Sequence, residues 1–451
     1  MRTSSRSILL LAAVTGSAVL IATGTSQAAG LRVGAAAVDV EADDAMPIAG
    51  GILAGRAQGQ EGKLRAVAVV MDTPGAAPVA IVACDVLMLT RDLLDPVAAE
   101  VEKGCGVPAA NLLVHTTHTH HAPSTMVVHG YGRDEVFCRR VQQAIVRAVG
   151  DARRAMSESV FSYKLGQERT VGMNSRLLLA DGTIYWTGSR DDAVRPTGPF
   201  DPDLPVLAFR SPSGAMQALF YGHSTHTIGS LKPGVRSPAF YGLVAQKLEK
   251  DLGGVAGFLE GASGSTHNLD YTAAESMAKI DQAVREALAG AKPQAVDKLA
   301  SLKRPFTFRV RTFDEAAEDK AVSDYCRKRI GPHADPVIAV FRDMRKKLAP
   351  VQGQERSTWL QVVRMGPVAL VGVPAEFFTK LGMEIKRRSP FEPRNTVVVE
   401  LTNDWIGYVG DREGHKLGGY QMWMGLHSYS EPGTGERMVD QAVAMLEEMA
   451  R

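Results

Sequence analysis

Aromatic residues make up only 6% of this 451-residue chain, and it carries just four cysteines. Four cysteines over such a length exclude a disulfide-built scaffold. Net charge is also scarce: 51 Lys and Arg stand against 49 Asp and Glu. A chain so balanced has no bulk attraction to nucleic acid or anionic lipid. Beyond the N-terminal segment no run approaches the roughly 18 uninterrupted apolar residues of a membrane span, so the sequence predicts no transmembrane helix in the mature chain. Glycine (44) and proline (23) are neither dominant nor periodic, which excludes collagen-like and low-complexity classes. What remains is a globular protein with ample chain for a large core.

Residues 1–28 read as a secretory signal peptide. Arg2 and Arg6 precede an apolar run from Ile8 to Ala22, and Ser26-Gln27-Ala28 fits a small-x-small cleavage site. Removing that segment leaves 49 charges of each sign. The expected location is secreted or periplasmic. Export permits disulfides among Cys84, Cys105, Cys138 and Cys326, but spacing does not choose among the three full pairings; Cys84, inside an apolar run, reads as a buried thiol.

Strand-like runs are Arg65–Met71, Pro78–Leu89, Asn111–Thr117, Val160–Leu165, Val206–Arg210, Met216–Tyr221, Val255–Leu259, Thr307–Arg311, Leu360–Arg364, Val368–Val373 and Thr396–Leu401. Turns at Ala180-Asp181-Gly182, Pro212-Ser213-Gly214 and Arg364-Met365-Gly366 mark hairpins. Helical periodicity covers Arg91–Lys103, Glu135–Met156, Tyr241–Leu252, Ala273–Ala289, Phe378–Arg388 and Glu436–Met449. Hairpins mixed with strand–helix alternation predict an α/β fold of mixed β-sheets covered by helices. The charge-dense stretch Phe313–Val351 reads as a solvated helical excursion, with a lid over the site as the alternative.

Chemistry concentrates in histidine. Four of eleven fall in LLVHTTHTHHAPS: His115, His118, His120 and His121. In extended backbone His118 and His120 point to one face, within reach of one metal or of a metal and its water. A second apolar strand ends in His223, with His226 nearby, and a third ends in Glu376. Imidazoles plus a carboxylate at strand ends suit zinc.

These segments together resemble the neutral/alkaline (non-lysosomal) ceramidases. THTHHAP, the GHS strand end, FLEGASG, VGVPAEFFTKLG and the tyrosines Tyr408 and Tyr420 occur in that family's order, from about Gly34 to the C-terminus. The span corresponds to the family's N-terminal catalytic domain, and the resemblance implies one large catalytic domain over residues 29–451. The resemblance implies one Zn2+ held by His118, His223, Glu376 and Tyr408, with Ser224 replacing the residue usual after the second histidine. It implies His120 as acid/base beside the metal-bound water, Tyr420 at the developing oxyanion and Arg176 lining the substrate site. The substrate would be ceramide or a related N-acyl amide, an ester, lactone or non-lipid amide being the alternative; a zinc-holding binding protein without catalysis is the non-enzymatic one. Residues alone leave open a second, hard cation such as Ca2+ or Mg2+, and any oligomer. A transient membrane-surface contact is compatible with a lipid substrate, and nucleic acid is not expected as a partner.

Plain structural roles compete for some of these residues: core packing for Tyr408 and Tyr420, a surface ion pair for Arg176. Asp85 fits either a partner for a ligand imidazole or a buried group capping a turn. Two departures from the family stand close to the expected metal. His121-Ala122 replaces Ser-Gly after THTH, and the loop Gly264–Asn268 has His267 where the family's serine is expected.

Overall fold

The computed structural model describes residues 30–451. The expected signal peptide, residues 1–28, lies outside the described residues. The α/β expectation is met by nine helices and several mixed sheets among them.

Three of the sheets are built by one recurring pattern. Three antiparallel strands are followed by a crossover helix, a fourth strand parallel to the third, and a helix that covers the sheet. The first unit runs Arg32–Asp39, Arg65–Asp72, Val79–Cys84, helix Arg91–Cys105, strand Leu112–Thr116, helix Glu135–Arg154. In the second, Val160–Gln167, Asp203–Arg210 and Met216–His223 lead through helix Ala239–Leu252 to strand Val255–Glu260 and helix Ala273–Ala289. The third has Leu299–Arg309, Glu355–Met365, Val368–Gly372, helix Thr379–Arg388, strand Thr396–Val399 and helix Thr434–Ala450. Parallel neighbours need a crossover, so the single helix after each third strand is the economical connection.

The three sheets share one core. Val67 and Val69, Phe161 and Leu207, and Val363 and Val397 belong to a single buried cluster, one pair from each unit. Each sheet's other face packs on its own helices. Burial on both faces explains why Val79–Cys84 and Val368–Gly372 read as unbroken apolar runs.

Arg32–Asp39, absent from the strands expected above, shows what an apolar pattern misses. Its sequence RVGAAAVD is small-residue-rich because helix Glu135–Arg154 lies on it: a Cβ at Gly34 would collide with the backbone of Ala152. Conversely Pro78–Leu89 is strand only to Cys84, and Thr307–Arg311 extends back to Leu299. The charged excursion is helical, Glu315–Arg329 and Ala334–Leu348. It is not merely solvated. Tyr325 and Phe341 pack with Trp423 in a cluster that includes Trp186 and Tyr420, and fully buried Arg345 is paired with Glu315 and Asp319. The four cysteines are free, and Cys84 is buried.

The units meet at the carboxyl ends of their parallel strands, where open α/β sheets present ligand-binding loops. His115 joins all three: its ring nitrogens lie 3.2 Å from the Glu400 carbonyl and 3.0 Å from the Phe258 carbonyl. Burial pushes its pKa down to about 4, so the imidazole is neutral there.

Candidate metal centre and active site

Loops leaving those strand ends bring one group of side chains together. From the first unit come His118 and His120. Strand pairing stops at Thr116, and His118 adopts φ +60°, so the two rings converge through a left-handed kink and not through extended i, i+2 geometry. From the second unit comes His226. From the third come Glu376 and Tyr408, opposite each other in a short parallel pair, Glu376–Phe377 with Tyr408–Val409.

Each imidazole is oriented from behind. Nδ1 of His118 lies 3.0 Å from the Leu87 carbonyl, that of His120 3.2 Å from Gly50 and that of His226 2.9 Å from Ser263. Three carbonyl acceptors hold a proton on Nδ1, so that in the neutral rings the Nε2 lone pair faces the group. Ser263 is itself clamped, its N–H and hydroxyl both donating to Glu400. Trp405 Nε1 donates to Glu376 Oε1 at 3.0 Å, which turns Oε2 inward.

Glu376 Oε2 then stands 3.5 Å from His118 Nε2 and 3.3 Å from His226 Nε2. Tyr408 Oη is 3.1 Å from His226 Nε2, and His120 Nε2 is 3.4 Å from His118 Nε2. Ligating atoms of His118, His120 and His226 all lie within 4.8 Å of one another. Three imidazole lone pairs and a carboxylate oxygen thus face a buried space with one phenolic hydrogen to share. Acceptors crowded in this way could hold a metal ion, and imidazole, carboxylate and phenolate donors fit zinc.

His223, expected as the second histidine, is not in the group. Its Nδ1 is 2.6 Å from the Tyr241 hydroxyl and its Nε2 3.1 Å from the Glu168 carbonyl. With both nitrogens occupied away from the cluster, it offers no free lone pair to the group, and His226 stands there instead. Arg176 is likewise displaced from its expected role. Its guanidinium is buried, donates to Gln421 Oε1 and to the Gly414 and Gly418 carbonyls, and lies over the Phe378 ring. It braces the loop that carries Tyr420 without lining the cavity. Asp85 takes the capping alternative, accepting from Arg65 N and the Thr117 hydroxyl, and burial raises its pKa to about 7.

A cavity of about 300 Å3 opens beside the group. His120, Tyr408 and Tyr420 face it, while His118, His226 and Glu376 lie behind. Ile52, Trp186, Ile228 and Leu269 form apolar wall; Ser175, His267 and Gln421 supply polar wall. Tyr420 stacks on Trp186 at 4.7 Å, and its hydroxyl is 3.4 Å from His129 Nε2, a long contact that leaves the hydroxyl free to turn. His129 and His427, which flanks Tyr420 at 4.9 Å, were not legible as site residues because neither sits in a motif or at a strand end.

The loop Gly264–Asn268 lies against the group. A Cβ at Gly264 would collide with the backbone carbonyl of Glu376. Gly264→Ala is therefore expected to shift the Glu376 strand and weaken metal binding by about 10- to 100-fold, the usual scale for a disturbed supporting shell. Zinc titration against a competing chelator measures it.

Comparison with family models matches none, and comparison with curated proteins finds no relative. Solved structures do match. Neutral ceramidase from Pseudomonas aeruginosa aligns with a TM-score of 0.69 at 19% identity, over 93% of this chain and 75% of that one. A ceramidase complexed with C2 aligns at TM-score 0.72, again 19% identical, over 93% and 76%. The chain has the neutral ceramidase fold. At this identity the likeness establishes architecture, and the chemistry rests on the side chains described above. No helix among the described residues is long and apolar enough to cross a membrane.

Proposed function

We propose that the protein is an exported, zinc-dependent hydrolase that cleaves the amide bond of ceramide or a related N-acyl compound. The observation that carries the reading is the convergence of oriented Nε2 lone pairs, the Glu376 carboxylate and the Tyr408 phenol beside a substrate-sized cavity on a ceramidase-like fold. His118, His226, Glu376 and Tyr408 would hold the metal. Zinc there would polarise the substrate carbonyl and supply a water acidic near neutral pH.

The chain's own residues do the rest. His120 is assigned to acid/base work because it alone of the three histidines faces the cavity. With Nδ1–H committed to Gly50, its Nε2 accepts the proton of the attacking water and returns it to the leaving amine nitrogen. Tyr420 turns its hydroxyl toward the carbonyl oxygen as charge develops there. The apolar wall takes an acyl chain, and the N-terminal segment directs the protein to the periplasm or outside the cell.

The cavity lies at the small end of the range for ligand sites, about 300–1,000 Å3. Short N-acyl amides are therefore expected to be better substrates than long-chain ceramide. Specificity constants for amides of rising acyl length, measured with ceramide under equal detergent and with and without chelator, test both claims. Activity unaffected by complete zinc removal would contradict the metal mechanism. Ceramide preferred by more than about tenfold, roughly 1.4 kcal/mol, would contradict the short-chain preference.

A further inference from the structure

The cavity wall carries two hydrogen-bond donors whose polarity is set by residues behind them. The first is His267, whose ring stacks on His226 with centroids 4.1 Å apart. Its Nδ1 is 2.7 Å from the Ser175 hydroxyl. That hydroxyl's other acceptor, the Ser265 carbonyl, is 3.3 Å away and already receives the Ser175 backbone N–H at 2.9 Å. A carbonyl can accept twice, but 3.3 Å is beyond the usual O–H···O range, whereas Nδ1 lies at 2.7 Å. The hydroxyl proton is therefore assigned to Nδ1 and the ring proton to Nε2, for which no protein partner is found among the described residues. The second donor is Gln421. Arg176 donates to its Oε1 at 2.9 Å, so the amide cannot flip and its Nε2–H2 is the free end. Among the residues lining the cavity there is no Lys, Arg, Asp or Glu.

We infer that His267 is a specificity-determining residue which, with Gln421, reads a second, neutral carbonyl oxygen on the substrate fragment that enters the cavity. The inference rests on the proposed amide hydrolysis and names its substrate class more closely. Pre-set donors favour a group that only accepts. A carbonyl offers two lone pairs and no hydrogen to place, and a purely apolar fragment would leave both donors without a partner. A carboxylate would find no cationic side chain in the lining, and an ammonium would meet N–H groups.

The test uses two matched pairs of amides on the zinc-loaded protein. N-hexanoylglycinamide is compared with N-isobutylhexanamide, which replaces the second carbonyl by a branched carbon on the amine side. A corresponding pair places the extra carbonyl, or its apolar isostere, on the acyl side. The wild type should favour the carbonyl-bearing member of at least one pair by tenfold or more in kcat/KM, mostly through KM. His267→Phe, which keeps a ring against His226 but no N–H, should bring that ratio below threefold. His267→Gln, which restores a donor, should recover part of it, and Ser175→Ala should lower it by freeing the tautomer. Ratios within threefold in both wild-type pairs, or a ratio undiminished in His267→Phe protein that retains its zinc, would overturn the inference while leaving amide hydrolysis standing. Inactivity on all four amides would overturn both.

Discussion

His226→Ala should strip the protein of tightly held zinc, whereas His223→Ala should keep it. His226 Nε2 faces the Glu376 carboxylate and the Tyr408 hydroxyl, so removing it deletes a ligand of the proposed site. Its loss should exceed the roughly 10- to 100-fold cost of disturbing a supporting partner, and amide hydrolysis should fall with the metal. His223 instead ties Tyr241 to the Glu168 carbonyl inside the second unit. Its removal leaves buried partners unsatisfied, which costs about 1–3 kcal/mol of stability, with no direct cost in zinc. Metal analysis and thermal melts of the two variants separate the outcomes. Zinc lost from His223→Ala and retained by His226→Ala would reverse the assignment.

The second large effect is expected at His120. Replacement by alanine should lower turnover by about two to four orders of magnitude, the usual contribution of a positioned general base, while zinc remains bound. Retention is the informative half, because His120 lies close enough to His118 and His226 to serve as a third imidazole ligand. Zinc content that falls in proportion to activity would make His120 a ligand and leave the acid/base role to another group.

How far the sequence anticipated these sites follows from what each residue's neighbours are. Glu376 was legible because it follows an apolar run, where a carboxylate needs a reason, although the strand itself ends at Gly372 and Glu376 opens a separate two-residue strand. His118 and His120 were legible by clustering, although the kink that unites them was not: a left-handed residue in THTH leaves no mark in the composition. His223 and His226 illustrate the opposite failure. GHSTHT offers two histidines three residues apart at a strand end, and a period-two count loses its meaning once the strand stops at His223. What decides between them is Tyr241, on a helix that begins sixteen residues further along the chain.

Arg176 failed for a related reason. Next to Ser175, which does line the cavity, it turns the other way to hold Gln421. The threefold recurrence of strands and helices was equally hidden. Equivalent elements share packing roles and not sequence, and the first strand of the first unit is disguised by the small residues that let its helix approach.

Anomalous scattering at the zinc edge from crystals of the zinc-loaded protein tests the central claim most directly. The account predicts one peak per chain at about 2.0–2.2 Å from His118 Nε2, His226 Nε2 and Glu376 Oε2, the ordinary zinc–nitrogen and zinc–oxygen distances, with Tyr408 Oη completing the set and His120 facing it from the cavity side. Absence of a peak there, or a peak bounded by other residues, would contradict it.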